Sequence, residues 1–204
     1  MNDLFSNINS DDFISLEMKD ADIKHFPNLF SSHEADDLLH ALKNEIEWKQ
    51  EQIKFYGQIH DLPRLTAWYG DPNKTYKYSG IEVFSSQWTP TLLKIKNKIE
   101  SVSSVQFNSV LLNLYRSGAD GVSWHSDDEP ELGVNPVIGS VSLGESRPFQ
   151  LKHKTNTDLK QKIILDHGSY LLMQGDTQHH WIHQIPKSKK KLNERVNLTF
   201  RVIY

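Results

Sequence analysis

Trp124-His125-Ser126-Asp127 is the stretch around which the chain reads, together with Trp181-Ile182-His183 and the closing run Arg195-Val196-Asn197-Leu198-Thr199-Phe200-Arg201. Side chains alternate faces along an extended segment, so His125 and Asp127 are expected on one face and Ser126 on the other. A second histidine from another strand of the same sheet system completes a two-histidine, one-carboxylate face. That face leaves metal positions open and suits the ferrous iron of oxygenases. In the closing run Arg195, Asn197, Thr199 and Arg201 share one face, and Val196, Leu198 and Phe200 share the other. Two guanidiniums on an inner strand face want carboxylates, which the planar arginine fork grips in bidentate fashion.

Outward from this stretch the second half of the chain reads as strands: 110–115, 137–143, 149–152, 162–165, 170–174, 181–184 and 195–203. Turn chemistry separates them at Gly118-Ala119-Asp120-Gly121, Gly144-Glu145-Ser146-Arg147, Asp166-His167-Gly168 and Gly175-Asp176. Two helices are predicted before them. Ser31 and Glu34 make a capping box ahead of Ala35, Leu38, Leu39, Leu42 and Ile46, and Thr89-Pro90 opens a run carrying Leu92, Leu93, Ile95 and Ile99. Residues 52–70 read as a hairpin with Ile53, Phe55 and Ile59 around Gly57. Many short strands after two helices predict an α+β jelly-roll barrel with helices packed outside. Residues 1–22 are polar, acidic and without a lasting period, and predict a mobile arm ahead of a single domain over 23–204.

Lys and Arg number 23 against 26 Asp and Glu, for a net charge of −3. The arm holds six acids against Lys19, a net of −5, which leaves +2 on the rest, so a polyanion surface on the body has to be a local patch. Cysteine is absent, which excludes disulfide frameworks, thiolate zinc sites, thiol nucleophiles and the zinc deaminases with their P-C-x-x-C signature. No apolar run has the length of a membrane span, and the first residues lack signal-peptide character. The expectation is a cytoplasmic protein with no membrane partner.

Asn113-Leu114-Tyr115-Arg116, His125-Ser126-Asp127-Asp128-Glu129, Trp181-Ile182-His183-Gln184-Ile185-Pro186 and Arg195–Arg201, in this order, resemble the AlkB family of nucleic-acid dealkylating dioxygenases, with homologues 2 and 3 closest. The resemblance takes in Pro63–Gly70 and Thr75–Gly80, and so covers the chain from about residue 50 to the end. It implies a double-stranded β-helix core over about 105–204 and a nucleotide-recognition lid over about 50–80. It also implies Fe(II), with 2-oxoglutarate and O2 as cosubstrates. The implied metal ligands are His125, Asp127 and His183, and the implied 2-oxoglutarate residues are Asn113, Tyr115, Arg195, Asn197, Thr199 and Arg201. For the substrate it implies Tyr78 with Tyr76 to stack a flipped base opposite His125, Tyr56 as a wedge, Arg64 at a phosphate, and Asp128 and Glu129 near the base. The implied reaction is oxidative demethylation of 1-methyladenine and 3-methylcytosine in DNA, with RNA as a further substrate, releasing formaldehyde, succinate and CO2. The expected protein is a monomer.

Several of these residues have plainer readings. His179, His180 and His183 crowd together; His183 precedes Gln184-Ile185-Pro186, where the resemblance puts the ligand, and His180 is the reserve. Tyr76 and Tyr78 also suit a strand core, Asp128 and Glu129 a solvated turn, and Lys187, Lys189, Lys190 and Lys191 a solvated loop as well as a phosphate contact. Two other functions share the iron motif: a hydroxylase of a protein or small molecule, and a noncatalytic cupin-like binding module. The first has no use for a nucleotide lid, and the second predicts no turnover of 2-oxoglutarate.

Overall fold

The computed structural model describes residues 12–55, 57–72, 75–78 and 81–204, without the side chains of 54–55, 75–78 and 81–84. Capping decides where the two long helices begin. Ahead of α1 (Ser32–Glu45) the Ser31 hydroxyl accepts from the Glu34 N–H at 3.3 Å, and the Glu34 carboxylate accepts from the Ser31 N–H at 3.0 Å. Ahead of α2 (Pro90–Ser103) Thr89 Oγ1 accepts from the Leu92 N–H at 3.2 Å, and Pro90 supplies a first turn that needs no donor. Each helix buries one stripe, Ala35, Leu38 and Leu42 on α1 and Leu92, Ile95 and Ile99 on α2. Each of the larger side chains contributes about 1.5–3 kcal/mol by leaving water.

The strands, in chain order, are β1 (Ile14–Ser15), β2 (Asp22–Phe26), β3 (Gln52–Phe55), β4 (Gln58–Asp61), β5 (Leu65–Gly70), β6 (Thr75–Tyr78), β7 (Ile81–Phe84), β8 (Ser109–Tyr115), β9 (Val122–His125), β10 (Ile138–Gly144), β11 (Arg147–His153), β12 (Lys160–Leu165), β13 (Ser169–Gln174), β14 (Trp181–Ile185) and β15 (Arg195–Arg201). A one-turn helix, α3 (Thr177–His180), precedes β14. A large antiparallel sheet runs β1-β2-β13-β10-β15-β8-β5, and a smaller one runs β12-β11-β14-β9. The protein is therefore mostly antiparallel β-sheet with few helices.

Alternation along the central strands sorts the side chains into two cores. Val110, Leu112 and Leu114 of β8, Val141 and Leu143 of β10, and Val196, Leu198 and Phe200 of β15 pack with α1 and α2. The opposite face meets the small sheet, where Tyr115, Ile138, Leu171 and Met173 pack with Phe149, Leu151, Ile163, Leu165 and Trp181. The layers are helices, large sheet, small sheet. Arg195, Asn197, Thr199 and Arg201 thus fall between the two sheets, since Cβ direction reverses at every residue of a strand.

Three expectations are corrected here. The second half of the arm is docked: Ile14–Ser15 pairs with β2, Leu16, Met18 and Ala21 pack on the second core, and the Trp181 indole N–H donates to Lys19 O at 2.9 Å. Residues 1–11 lie outside the described residues. The core sheet is not confined to 105–204, because β2 and β5 come from earlier in the chain. Nor are 52–70 one hairpin. Strands β3 and β4 pair with each other, whereas Leu65–Gly70 leaves them to pair with β8 and close the edge of the large sheet. No helix among the described residues is long and apolar enough to cross a membrane.

Candidate metal centre and its pocket

Strands β9 and β14 pair so that His125 and His183 are direct partners across the ladder. Their rings lie 4.3 Å apart, and Phe149 packs on His183 at 5.0 Å. Asp127 joins them from beyond the end of β9, which stops at His125; strand alternation alone therefore does not place the carboxylate. The ligand atoms of His125, Asp127 and His183 all lie within 4.8 Å of one another. His183, not His180, converges with the pair.

The protonation states favour a cation between them. His125 Nδ1 lies 2.8 Å from Ser123 O, an acceptor only, so the proton sits on Nδ1 and Nε2 presents a lone pair. Burial, and then the neighbouring His125, push His183 down to about 3, so at neutral pH it is an uncharged ligand. Asp127 is 2% exposed; burial alone would raise it, but Arg201, His183 and His125 together hold it down at about 2. Its carboxylate approaches His183 Nε2 to 3.8 Å, too far for a hydrogen bond and close enough for both atoms to reach one ion. A metal ion answers that arrangement. The donor set fits ferrous iron, with the remaining positions open to small ligands.

Behind the triad lies a narrow cavity of about 60 Å³ between the sheets, bounded by Asn113, Tyr115, Arg195, Asn197, Thr199 and Arg201 among others. The two arginines of β15 differ in their partners. Arg201 Nη2 donates to Asp127 Oδ1 at 2.5 Å, so one of its partners is the metal carboxylate. Arg195 is 1% exposed, donates through Nη2 to Ser142 Oγ at 2.9 Å and lies over the Tyr115 ring at 5.2 Å. Its Nε and Nη1 have no hydrogen-bond partner among the described residues. Burial pushes this guanidinium down to about 10, which still leaves it charged at neutral pH. A buried cation with two idle donors fits a carboxylate, as 2-oxoglutarate offers. Asn197 and Thr199 are partly committed to the scaffold: Asn197 Nδ2 donates to Ser140 Oγ and Val141 O, and Thr199 Oγ1 donates to Asn197 Oδ1.

In front of the triad an apolar groove of about 400 Å³ opens, lined by Leu62, Trp68, Leu111, Val122, Trp124 and Glu129 among others. That is within the usual span of ligand sites, about 300–1,000 Å³. Arg64, expected at a phosphate, is instead turned inward, its Nε donating to Asn113 Oδ1 at 2.6 Å. Asp128, expected near the base, is held by Ser126 Oγ at 2.8 Å and Lys154 Nζ at 3.1 Å, so its charge is answered within the protein. Tyr76 and Tyr78 lie on β6, with their side chains outside the described residues, and Tyr56 lies outside them altogether.

The residues missed in the sequence are those that act through others. Arg147 is fully buried, donates to Asp120 O and Pro186 O, and flanks the same Tyr115 ring at 5.7 Å. Gln178 and Lys154 bind the loop that carries Asp127. A turn arginine, a glutamine beside two histidines and one lysine among many carry no spacing signal. Asp20, His153 and His180 form a second group with ligand atoms within 4.8 Å. There, however, His153 Nδ1 accepts from the Thr155 and Asn156 N–H groups, which puts its proton on Nε2, toward Asp20 at 3.3 Å. A metal-bound imidazole donates through its other nitrogen, so this group is a latch for the arm, not a ligand set.

The sequence profile of the 2OG-Fe(II) oxygenase superfamily matches residues 22–201. The chain is 42% identical over 187 residues to human alpha-ketoglutarate-dependent dioxygenase alkB homolog 3, covering 88% of this chain and 65% of that protein. It is 38% identical over 185 residues to the human DNA oxidative demethylase ALKBH2, covering 86% and 71%. Thus the chain spans slightly less than two thirds of the homolog 3 relatives and somewhat more than two thirds of human ALKBH2. The solved structure of OsALKBH1 superposes with a TM-score of 0.63 at 18% identity, over 88% of this chain and 97% of that one, a likeness of fold. With the motifs in order, the inner arginine strand and the His125–Asp127–His183 triad in place, the chain belongs to the AlkB family of the 2OG-Fe(II) oxygenase superfamily.

Proposed function

We propose that this protein is an Fe(II)- and 2-oxoglutarate-dependent dioxygenase that demethylates 1-methyladenine and 3-methylcytosine in DNA, with RNA as a further substrate. The observation that carries the reading is the His125–Asp127–His183 triad, half-buried at His125 and buried at the other two, set between a cationic inner cavity and an apolar outer groove. The names of the relatives support a nucleic-acid substrate. On this reading the two sheets are a double-stranded β-helix in one domain, and the β3–β4 and β6–β7 hairpins form the nucleotide lid.

His125, Asp127 and His183 would hold the iron. Bound iron, with 2-oxoglutarate and O2, supplies the oxidation that hydroxylates the N-methyl carbon, after which formaldehyde leaves. The chain positions the partners and excludes water. Arg195 would receive a carboxylate of the cosubstrate, and Arg201 keeps Asp127 ionised and oriented. The groove takes a base only as a single strand or flipped from a duplex. Tyr78 stacks that base and Tyr56 fills the gap it leaves.

The test is formaldehyde release from matched single- and double-stranded oligonucleotides, DNA and RNA, each with one lesion. Tyr78→Ala is expected to lower release from all of them, since a stacked base is worth about 1–3 kcal/mol, and Tyr56→Ala to lower duplex repair selectively. Consumption of 2-oxoglutarate without formaldehyde from any oligonucleotide would move the protein to another substrate class.

A further inference from the structure

Asp127 reaches the metal site from outside any strand, so its main-chain N–H has no ladder partner although the residue is 2% exposed. A buried N–H has to be met by some acceptor. Here the acceptor is a side chain: Gln178 Oε1 takes the Asp127 N–H at 3.0 Å. Gln178 is itself fully buried, and its place in α3 is fixed by the residue before it. Thr177 Oγ1 accepts from the Asp22 N–H at 2.9 Å and donates to Gln174 O at 2.5 Å, which ties α3 to β2 and β13. A second tether comes from the residue just past β11. Lys154 Nζ donates to Gln178 O at 2.9 Å and to Asp128 Oδ2 at 3.1 Å, and Asp128 in turn accepts from Ser126 Oγ at 2.8 Å. Residues on both sides of Asp127 are thus bound to one framework.

We propose that Gln178 and Lys154 form a clamp that positions Asp127 as a metal ligand. Neither belongs to the ligand set or lines the cavity or the groove. They hold the 126–128 loop at the depth where its carboxylate meets His125 and His183, so the ion binds an ordered ligand instead of ordering a loop. The proposal rests on the ligand set assigned above. It gives Asp128, whose charge Lys154 answers, a scaffolding part in place of a substrate contact.

Cobalt(II) titration of the apoprotein, read by ligand-field absorption and paired with apoprotein melting, tests the clamp. Gln178→Met keeps the length of the side chain and removes the acceptor; it is expected to weaken cobalt binding by about 10-fold or more, as loss of outer-sphere partners does at other metal sites. Gln178→Glu returns an acceptor oxygen at the same reach and is expected to recover most of the affinity. Lys154→Met, at a side chain 29% exposed, is expected to weaken binding in the same direction without opening the core. Wild-type affinity in folded Gln178→Met would overturn the proposal; where that variant does not fold, wild-type affinity in Lys154→Met overturns it. Equal losses in Gln178→Met and Gln178→Glu, matched by equal falls in melting temperature, assign Gln178 to structure alone and also overturn it. Asp127→Ala separates the two readings. If it binds cobalt as wild type does, the ligand assignment itself fails; if it loses cobalt while the clamp variants keep it, only the clamp fails.

Discussion

Burying Arg195 without a counter-ion costs several kcal/mol, and its two idle donors add to the cost. The apoprotein carries that cost until a carboxylate arrives. Arg195→Met is therefore expected to melt at or above the wild-type temperature as apoprotein, while losing the upward shift that 2-oxoglutarate gives the wild type. Arg195→Lys keeps the charge but not the fork, and is expected to raise KM for 2-oxoglutarate. Thermal shift with and without 2-oxoglutarate checks both; a Met variant that still responds like wild type places the cosubstrate elsewhere. The two histidines separate just as sharply. His183→Ala is expected to abolish metal binding and turnover. His180→Ala is expected to keep both, because that ring stacks on His153 at 5.7 Å, away from the triad. The reverse result in metal titration refutes the ligand choice.

At the scale of elements, the helices stabilise the sheet without contributing to the chemistry. Thr89→Ala removes the α2 cap at a cost of about 1 kcal/mol. For a chain of this size that is a fall of about 2–4 °C in melting temperature. Turnover per folded molecule is expected to stay unchanged, since α2 packs on the side of the large sheet opposite the cavity. Strand β15 behaves differently because one of its faces packs in the core under the helices and the other lines the cavity. Leu198→Ala is expected to cost about 2–5 kcal/mol and, by letting β15 shift, to weaken 2-oxoglutarate binding as well. Denaturant melts with parallel KM measurements check the coupling; a stability loss with KM unchanged would show that β15 holds its inner face independently.

For the whole molecule, the arm closes what the two sheets leave open. Leu16 and Met18 cover the second core, Lys19 O receives the Trp181 indole, and Asp20 meets His153. Trp181 begins the strand that carries His183. Deleting residues 1–20 is expected to lower the melting temperature and, through β14, to weaken metal binding; an unchanged melt would show that these contacts add nothing to stability.

Local physics by itself determined a good part of this protein. The capping pairs Ser31–Glu34 and Thr89–Leu92 depend on neighbours three residues apart, and the two-faced run Arg195–Arg201 depends only on the alternation of a strand, so each is legible in the chain. Long-range pairing decided the rest. Nothing local in Asp22–Phe26 or Leu65–Gly70 says that they complete the large sheet, because the partners, β13 and β8, lie far along the chain. The candidate triad divides the same way. Residue types and motif order point to His125, Asp127 and His183, but Asp127 stands beyond its strand, and only the fold brings Gln178 to its N–H and Arg201 to its carboxylate. Those contacts join residues 51 to 74 positions apart, a separation over which the chain carries no periodic signal and only tertiary packing decides which side chains meet.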